Sequence, residues 1–454
     1  VITDKKSIFS FGFSVGYCPK WMAGIFLVLT FFYSSFRICL PDIGQKSGTA
    51  IALVALFVIF WTRSSLRKNT VFLCLLGVVT VQLVSWMAGY FHHPDWLPDN
   101  PELDRLGKWF LFVGVAFWLG GMRRNTETLL LFALLGFLAA CFLFQGAADE
   151  WLRGLKGQRM DLGIRNAQHT SMFFGVAVIG LLCFSRRFFL SNKCPLVMGP
   201  IWIVVFCICL LGVLITQTRA VWLSLVFTLL IFIAIFIVAV LTGRASRSLR
   251  RQGVIVVLCM VVVAGTGGLV FKDTLGQRIA AEKSVMANAW QGNWEEVPYS
   301  SIGNRLHTWR AGVEWILERP IVGWGGDGRG LVIDHTVWLP RWVKNEYGHL
   351  HSTLLDFLVS YGFLGLSVIL VLVIWTGLGS WKAWRAGVMP TEVFAFGWAF
   401  FVYYFIVSLF ESYSFFWTGS YIQNVVMGVV VTFIWRWQLE SGKSVFPGRK
   451  KLTS

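Results

Sequence analysis

Residues 197–242 read "VMGPIWIVVFCICLLGVLITQTRAVWLSLVFTLLIFIAIFIVAVLT". Two apolar runs, 197–216 and 220–242, are parted by a polar step ending in Arg219, the sole charged residue of the stretch. Each run has about the ~20 residues that cross ~30 Å of hydrocarbon at ~1.5 Å per residue. The apolar residues are continuous and do not alternate. The runs therefore read as helices and not as strands of a barrel.

The pattern repeats outward along the 454-residue chain, at 21–40, 48–62, 69–91, 107–122, 127–146, 170–190, 252–271, 352–379, 392–411 and 420–438. The runs at 48–62 and 107–122 are short for a crossing. Composition agrees, with 56% hydrophobic and 14% charged residues, a mean hydropathy of +0.65, 23 Trp and 40 Phe. Soluble domains carry roughly 25% charged residues. The expected fold is an all-α polytopic membrane protein of about twelve transmembrane helices. No cleavable leader is expected, because the first run is long and lacks a small-residue cleavage site.

Charge gives the expected orientation. With the N-terminus cytoplasmic and the loops alternating, the cytoplasmic segments hold 22 of the 40 lysines and arginines and four acidic residues, Asp4, Glu127, Glu392 and Glu440. The other side holds 18 basic and 19 acidic residues. This asymmetry is the positive-inside rule. The net charge of +17 records topology, so nucleic acid is not an expected partner. None of the nine cysteines falls in the long outer loop, which argues against a disulfide-stapled domain there.

Three outer segments are longer than turns: 92–106, 147–169 and 272–350. The expected organisation is nine helices with short loops over 1–271, one large outer loop over 272–350, and three helices with a basic cytoplasmic tail over 351–454. In "NRLHTWRAGVEWILERP" (304–320), Leu306, Trp309, Val313, Ile316 and Leu317 recur at helical spacing and predict an amphipathic helix at the membrane surface, ended by Pro320. "GWGGDGRG" (323–330) comes next as a flexible loop without a Walker or dinucleotide fingerprint.

The spans contain almost no charge, and the exceptions, Arg37, Asp356, Glu392 and Glu411, lie near span ends. Ion-coupled transporters keep such groups near mid-membrane, so a lipid-linked-sugar transporter is a less favoured reading. Ionisable residues collect instead at the outer boundary. Arg219 opens a helix there, and Arg165 stands just before another in "GIRNAQHTSMFFG". Each fits either a snorkelling interfacial arginine or a phosphate ligand, since guanidinium is a permanently charged fork. Arg305 and Arg310 on the amphipathic helix point about 140° apart, so one of them would face a common pocket.

"GHLHSTLLDFLVSYGFLGL" (348–366) places His349 and His351 at the mouth of an apolar run. If both were helical, their side chains would project about 200° apart and could not share a pocket or a metal. Each fits an ordinary hydrogen-bonding role, a general base or a phosphate donor. "HHPDWLPDNPELD" (92–104) gathers His92, His93, Asp95, Asp99, Glu102 and Asp104, a weak candidate for a hard divalent ion. No metal site, nucleophilic cysteine or Ser-His-Asp set is expected.

His351-Ser352, Leu354-Leu355, Gly362 and Gly365 resemble the motif of the O-antigen ligase and polymerase family. "RLHTWRAGVEWILERPIVGWG" and "TQTRAVWLSL" resemble its upstream stretches, and the likeness covers roughly 200–370. The resemblance implies a GT-C-like membrane glycosyltransferase with a helical periplasmic subdomain, in the inner membrane of a Gram-negative bacterium. It implies metal-independent, inverting transfer of O-antigen from undecaprenyl pyrophosphate to lipid A core, with no cofactor. Both termini would be cytoplasmic and the site periplasmic. By the same resemblance, His351 matches the essential histidine and Arg219 and Arg310 the pyrophosphate-binding arginines, with Arg305 the alternative to Arg310. An O-antigen polymerase or a protein O-oligosaccharyltransferase is the alternative within the family.

Overall fold

The computed structural model describes residues 12–189, 195–243, 283 and 285–446, and every regular element among them is a helix. Among the described residues, ten helices are long and apolar enough to cross a membrane. They are α1 (Lys20–Cys39), α2 (Pro41–Trp61), α3 (Thr70–Tyr90), α5 (Arg123–Phe142), α6 (Ala167–Phe189), α7 (Pro195–Ile215), α8 (Arg219–Leu241), α11 (Thr353–Arg385), α12 (Thr391–Ser408) and α13 (Trp417–Ser441). The expected span at 252–271 lies outside the described residues. The run at 107–122 is not one continuous helix: it becomes a 3-10 turn at Lys108–Phe110 followed by the eight-residue α4 (Phe112–Leu119).

Polar residues of α13 explain how so short a helix survives among apolar neighbours. All eight residues of α4 are buried, so its terminal N–H and C=O groups cannot turn to water. At its start, Asn424 Oδ1 accepts from Phe112 N at 2.8 Å, and Asn424 Nδ2 donates to Lys108 O at 2.9 Å. Beyond its end, Gly121 N donates to Thr432 Oγ1 at 2.7 Å and Arg436 Nη1 donates to Gly121 O at 3.1 Å. Asn424, Thr432 and Arg436 lie along one helix and meet both ends of α4. That use of polar side chains makes α13 the least apolar span by hydropathy and yet the most buried.

The helix ends gather on two faces. On one face α5, α6 and α12 meet through Arg123, Glu127, Arg187 and Glu392, with contacts of 2.8 Å (Arg123–Glu127), 3.0 Å (Arg123–Glu392) and 2.6 Å (Arg187–Glu127). These are ends that the charge pattern assigns together. The opposite face carries the outer segments, where Arg105 reaches Asp327 at 2.8 Å.

Two helices of the large outer segment flank the histidines, α9 (Ser301–Glu318) and α10 (Gly328–His335). Ser300 caps α9 by accepting from Gly303 N at 3.2 Å. The expected apolar face of α9 is only partly the buried one. Ile316 is buried, but Val313 and Leu317 are 46% and 73% exposed, and the inward face is built on Asn304, His307, Thr308, Ala311, Gly312 and Trp315. Small residues decide this, because Ala311 and Gly312 let neighbouring chain approach: a Cβ on Gly312 would stand 2.7 Å from the Leu350 side chain.

The run after the histidines is two helices joined at a break. Gly362 has φ +59 and ψ −165, a region essentially reserved for glycine. The loop 320–325 fills the break: Phe363 N and Leu364 N donate to Pro320 O (2.8 Å) and Ile321 O (2.9 Å), while Trp324 N and Gly325 N donate to Val359 O (2.9 Å) and Ser360 O (2.9 Å). "GWGG" is therefore no free loop. It satisfies the backbone that the kink leaves open.

Candidate active site

His349 and His351 precede α11 in non-helical chain, and this overturns the separation expected of them. Leu350 between them is fixed three ways: its N donates to Asp356 Oδ1 at 2.9 Å, its O accepts from Trp309 Nε1 at 2.7 Å, and its side chain is fully buried. His351 then takes φ +51. The two rings lie 4.1 Å apart and share one carboxylate. His349 Nε2 meets Glu411 Oε1 at 3.0 Å, and His351 Nδ1 meets Glu411 Oε2 at 3.1 Å.

Glu411 comes from the turn between α12 and α13, and sequence reasoning does not single it out. Its signal is present, as one of four charges near span ends, but nothing in the sequence joins it to residue 351. The structure joins them: Thr353 Oγ1 donates to Glu411 O at 3.0 Å and Ser412 N to Glu411 Oε1 at 2.9 Å. Burial would push the carboxyl up, but hydrogen bonds and positive charge from His349 and His351 outweigh it and hold it well below the usual range. A carboxylate only accepts, so both facing ring nitrogens donate. With Nδ1 committed, His351 in its neutral form presents Nε2 as an acceptor.

Two adjoining cavities meet at this carboxylate. One, of about 270 Å³, is lined by Arg159, Arg165, His169, His349, His351, Glu411 and Phe416 among others. The second, of about 680 Å³, is lined by Arg219, Arg305, Tyr413 and Gln217 among others, and shares Arg159, Gln168 and Glu411 with the first. With its amide oriented to satisfy both neighbours, Gln168 donates to Glu411 Oε2 and accepts from Arg305 Nη2 at 3.1 Å. Gln168 thus links the carboxylate to the arginine.

Local capping positions these segments. Asn166 Oδ1 accepts from Gln168 N and His169 N, both at 3.0 Å, and starts α6. Arg165, just before it, stacks 3.8 Å from the Phe416 ring centroid. Gln217, with φ +46, donates through Nε2 to Gly157 O at 2.7 Å, and Arg159 Nε donates to Thr216 O at 3.2 Å. These bonds draw 157–165 against the turn that presents Arg219 at the first residue of α8. Burial pushes the Arg305 guanidinium down from its ordinary value, the charge of Glu411 pulls it back, and Arg219 adds to the lowering.

Of the sequence candidates, His351, Arg165, Arg219 and Arg305 line the joined cavities, and Arg310 does not. Arg310 pairs with Glu314 at 3.0 Å and lies 4.7 Å from the Trp338 ring and 5.1 Å from that of Trp294. The helical angle that separates 305 from 310 on α9 is the reason. The acidic segment 92–104 is not a convergent donor set either: His93 stacks on Trp96 at 3.8 Å, Trp96 on His335 at 3.8 Å, and Glu102 and Asp104 pair with Arg105 and Lys108. Among the described residues, the side chains whose donor atoms come close enough to hold a metal are His349, His351 and Glu411, within 4.8 Å of one another. The arrangement can accept a proton at His351 and surround an anion with fixed positive charge.

Residues 203–370 match the family model described as O-antigen ligase. No curated protein matches the chain.

Proposed function

We propose that this chain, whose residues 203–370 match the O-antigen ligase family model, transfers O-antigen polysaccharide from undecaprenyl pyrophosphate to the lipid A core oligosaccharide. The observation that carries the reading is the meeting of the Glu411–His351 pair with arginines from three segments, 159–165, the start of α8, and α9, around joined cavities.

The chemistry follows from the geometry. The donor pyrophosphate lies in the larger cavity against Arg219 and Arg305, with Arg159 and Arg165 completing the positive surface. An acceptor hydroxyl donates its hydrogen bond to His351 Nε2 and attacks the anomeric carbon from the face opposite the phosphate. A new carbon–oxygen bond forms, the anomeric carbon–phosphate oxygen bond breaks, and its electron pair leaves with the pyrophosphate. The proton goes to His351. Glu411 holds the imidazole in the required tautomer and stabilises the imidazolium. Pyrophosphate is a good leaving group, so fixed cations aimed at its growing charge serve better than an added acid. The product inverts at the anomeric carbon.

The site lies on the periplasmic face of a bacterial inner membrane, with both termini cytoplasmic. The test is transfer by the purified chain, given lipid-linked glycan and lipid A core in a metal chelator. Ligated product with inverted linkage is expected. Glycan lengthening on the carrier lipid, without transfer to lipid A core, would replace the ligase reading with a polymerase. No transfer at all from competent substrates would sink the transferase reading.

A further inference from the structure

A third cavity, of about 430 Å³, shares Phe416 as a lining residue with the cavity that holds His351. Phe416 lines both spaces: Arg165 stacks on it at 3.8 Å from the His351 cavity, and Arg329, which lines the third cavity, lies 5.5 Å from the same ring. Four cationic side chains line this third space, Arg37, Arg105, Lys108 and Arg329, against two acidic ones, Glu102 and Asp104. Two of the four are neutralised locally. Arg105 pairs with Glu102 and with Asp327 at 2.8 Å, and Lys108 pairs with Asp104 at 2.5 Å.

The other two are different. Arg37 is 5% exposed, and its polar partners are neutral: Nη1 donates to Pro41 O at 2.5 Å, Nη2 donates to Gln45 Oε1 at 2.7 Å, and the group lies 4.7 Å from the Trp417 ring. Among the described residues no carboxylate stands within ion-pair reach of it. Arg329 makes only a long ion pair, of 4.0 Å, with Asp356, and its Nη1 is buried without a hydrogen-bond partner. Burying a guanidinium with so little counter-charge is costly, so such groups mark places where an anion completes the structure. Arg37 comes from the last turn of α1 and Trp417 from the start of α13, so the cavity lies at the ends of membrane-spanning helices, where lipid headgroups are expected.

We propose that this cavity binds a phosphate group on the headgroup of the acceptor glycolipid, with Arg37 and Arg329 as its ligands. That the bound lipid is the acceptor rests on the transferase reading; that it carries a phosphate does not. The site puts the acceptor headgroup one aromatic ring away from His351, with the donor pyrophosphate on the other side among Arg219 and Arg305. Aromatic faces of Trp417 and Phe416 suit the apolar faces of sugar rings beside the phosphate. The two substrates thus approach His351 from separate cationic chambers, and neither has to leave for the other to bind.

The test is binding of a short-chain phosphatidic acid to the full-length chain in non-ionic detergent, measured by calorimetry. Diacylglycerol and inorganic phosphate are parallel probes. Phosphatidic acid is expected to bind, Arg37→Gln with Arg329→Gln to weaken it ~10–100-fold, and Arg305→Gln to leave it unchanged. Lys108→Glu, at an exposed position, provides a fold-preserving check and is expected to weaken binding as well. Loss of binding in Arg305→Gln but not in the Arg37/Arg329 variant would place the probe with the pyrophosphate and overturn the proposal. Inorganic phosphate binding as tightly as the lipid would overturn the assignment to a lipid headgroup. If this binding pattern holds but no glycan is transferred, the transferase reading fails and the phosphate site stands. If glycan is transferred and the Arg37/Arg329 variant binds phosphatidic acid normally, the site alone fails.

Discussion

At the scale of single residues, Glu411 is the group whose removal says most. It accepts from His349, His351 and Ser412, and it also faces Gln168, Arg305 and Arg165. Glu411→Gln keeps the shape but loses the charge that selects the tautomer of His351. Transfer is expected to fall ~10²–10⁴-fold in kcat with a smaller change in donor KM; unchanged kcat would rule out the positioning role. The same substitution has a signature in stability. The Glu411 carboxyl is held below its ordinary value in the folded chain, so its contribution is fully present above the unfolded value near ~4.3. As pH falls further, the unfolded chain takes up the proton first, and stability drops by up to ~1.4 kcal/mol per pH unit. Thermal unfolding in detergent should fall more steeply below about pH 4 for the parent chain than for Glu411→Gln. Equal slopes would place the shift elsewhere. A second contrast separates the two arginines of α9. Arg305→Ala should cost ~10–100-fold in transfer, as expected for one charge-assisted phosphate contact. Arg310→Ala removes a surface pair with Glu314 and should change transfer by less than ~3-fold. The reverse order would restore Arg310 as the ligand.

At the scale of elements, the sequence is legible wherever one local rule governs. Eight of the ten long helices begin and end within a few residues of their apolar runs, because continuous hydrophobicity and span length dictate them. Of the other two, α11 runs on past its apolar run to Arg385, and α2 reaches back to Pro41 and Asp42, since proline and an acidic residue suit a first helical turn better than its apolarity alone suggests. Local rules miss the places where distant chain supplies the missing bond. The run 107–122 breaks because Asn424 and Thr432, some three hundred residues on, take over its backbone groups. The histidines face one way because Asp356 and Trp309 hold Leu350 outside the helix. Gly362 reads in the sequence as part of a motif, and its physical necessity lies in contact with 320–325. A Cβ there would meet Ile321 O at 2.3 Å, at a backbone angle that side chains rarely adopt. Gly362→Ala is therefore expected to lower stability by ~1–3 kcal/mol from backbone strain alone. The measurement is the unfolding temperature in detergent, with Ser367→Ala on the exposed outer half of α11 as the matched control. An unfolding temperature equal to the control's would mean that the kink is not fixed by this glycine.

At the scale of the whole molecule, the four charges near span ends do separate jobs. Glu392 joins Arg123 and Arg187 on one face. Glu411 and Asp356 build and brace the histidine site, and Arg37 lines the neighbouring cavity that shares Phe416. A bundle this apolar has few charged groups within its spans, so those that remain mark either face-to-face stapling or substrate contact. The two faces differ in what they ask of their surroundings. One is stapled by Arg–Glu pairs and rich in lysine and arginine along its loops; the other carries the cavities and a near-balanced charge. By the positive-inside rule, the basic face is expected to be retained in the cytoplasm. Reporter fusions test it directly. A phosphatase that folds only in the periplasm should be active when joined after Asn100 and inactive when joined after Gly387, and a fluorescent protein joined after Ser454 should glow. An active phosphatase at 387 and a dark C-terminal fusion would invert the molecule. They would put the His351 cavity on the cytoplasmic side, out of reach of any acceptor displayed in the periplasm.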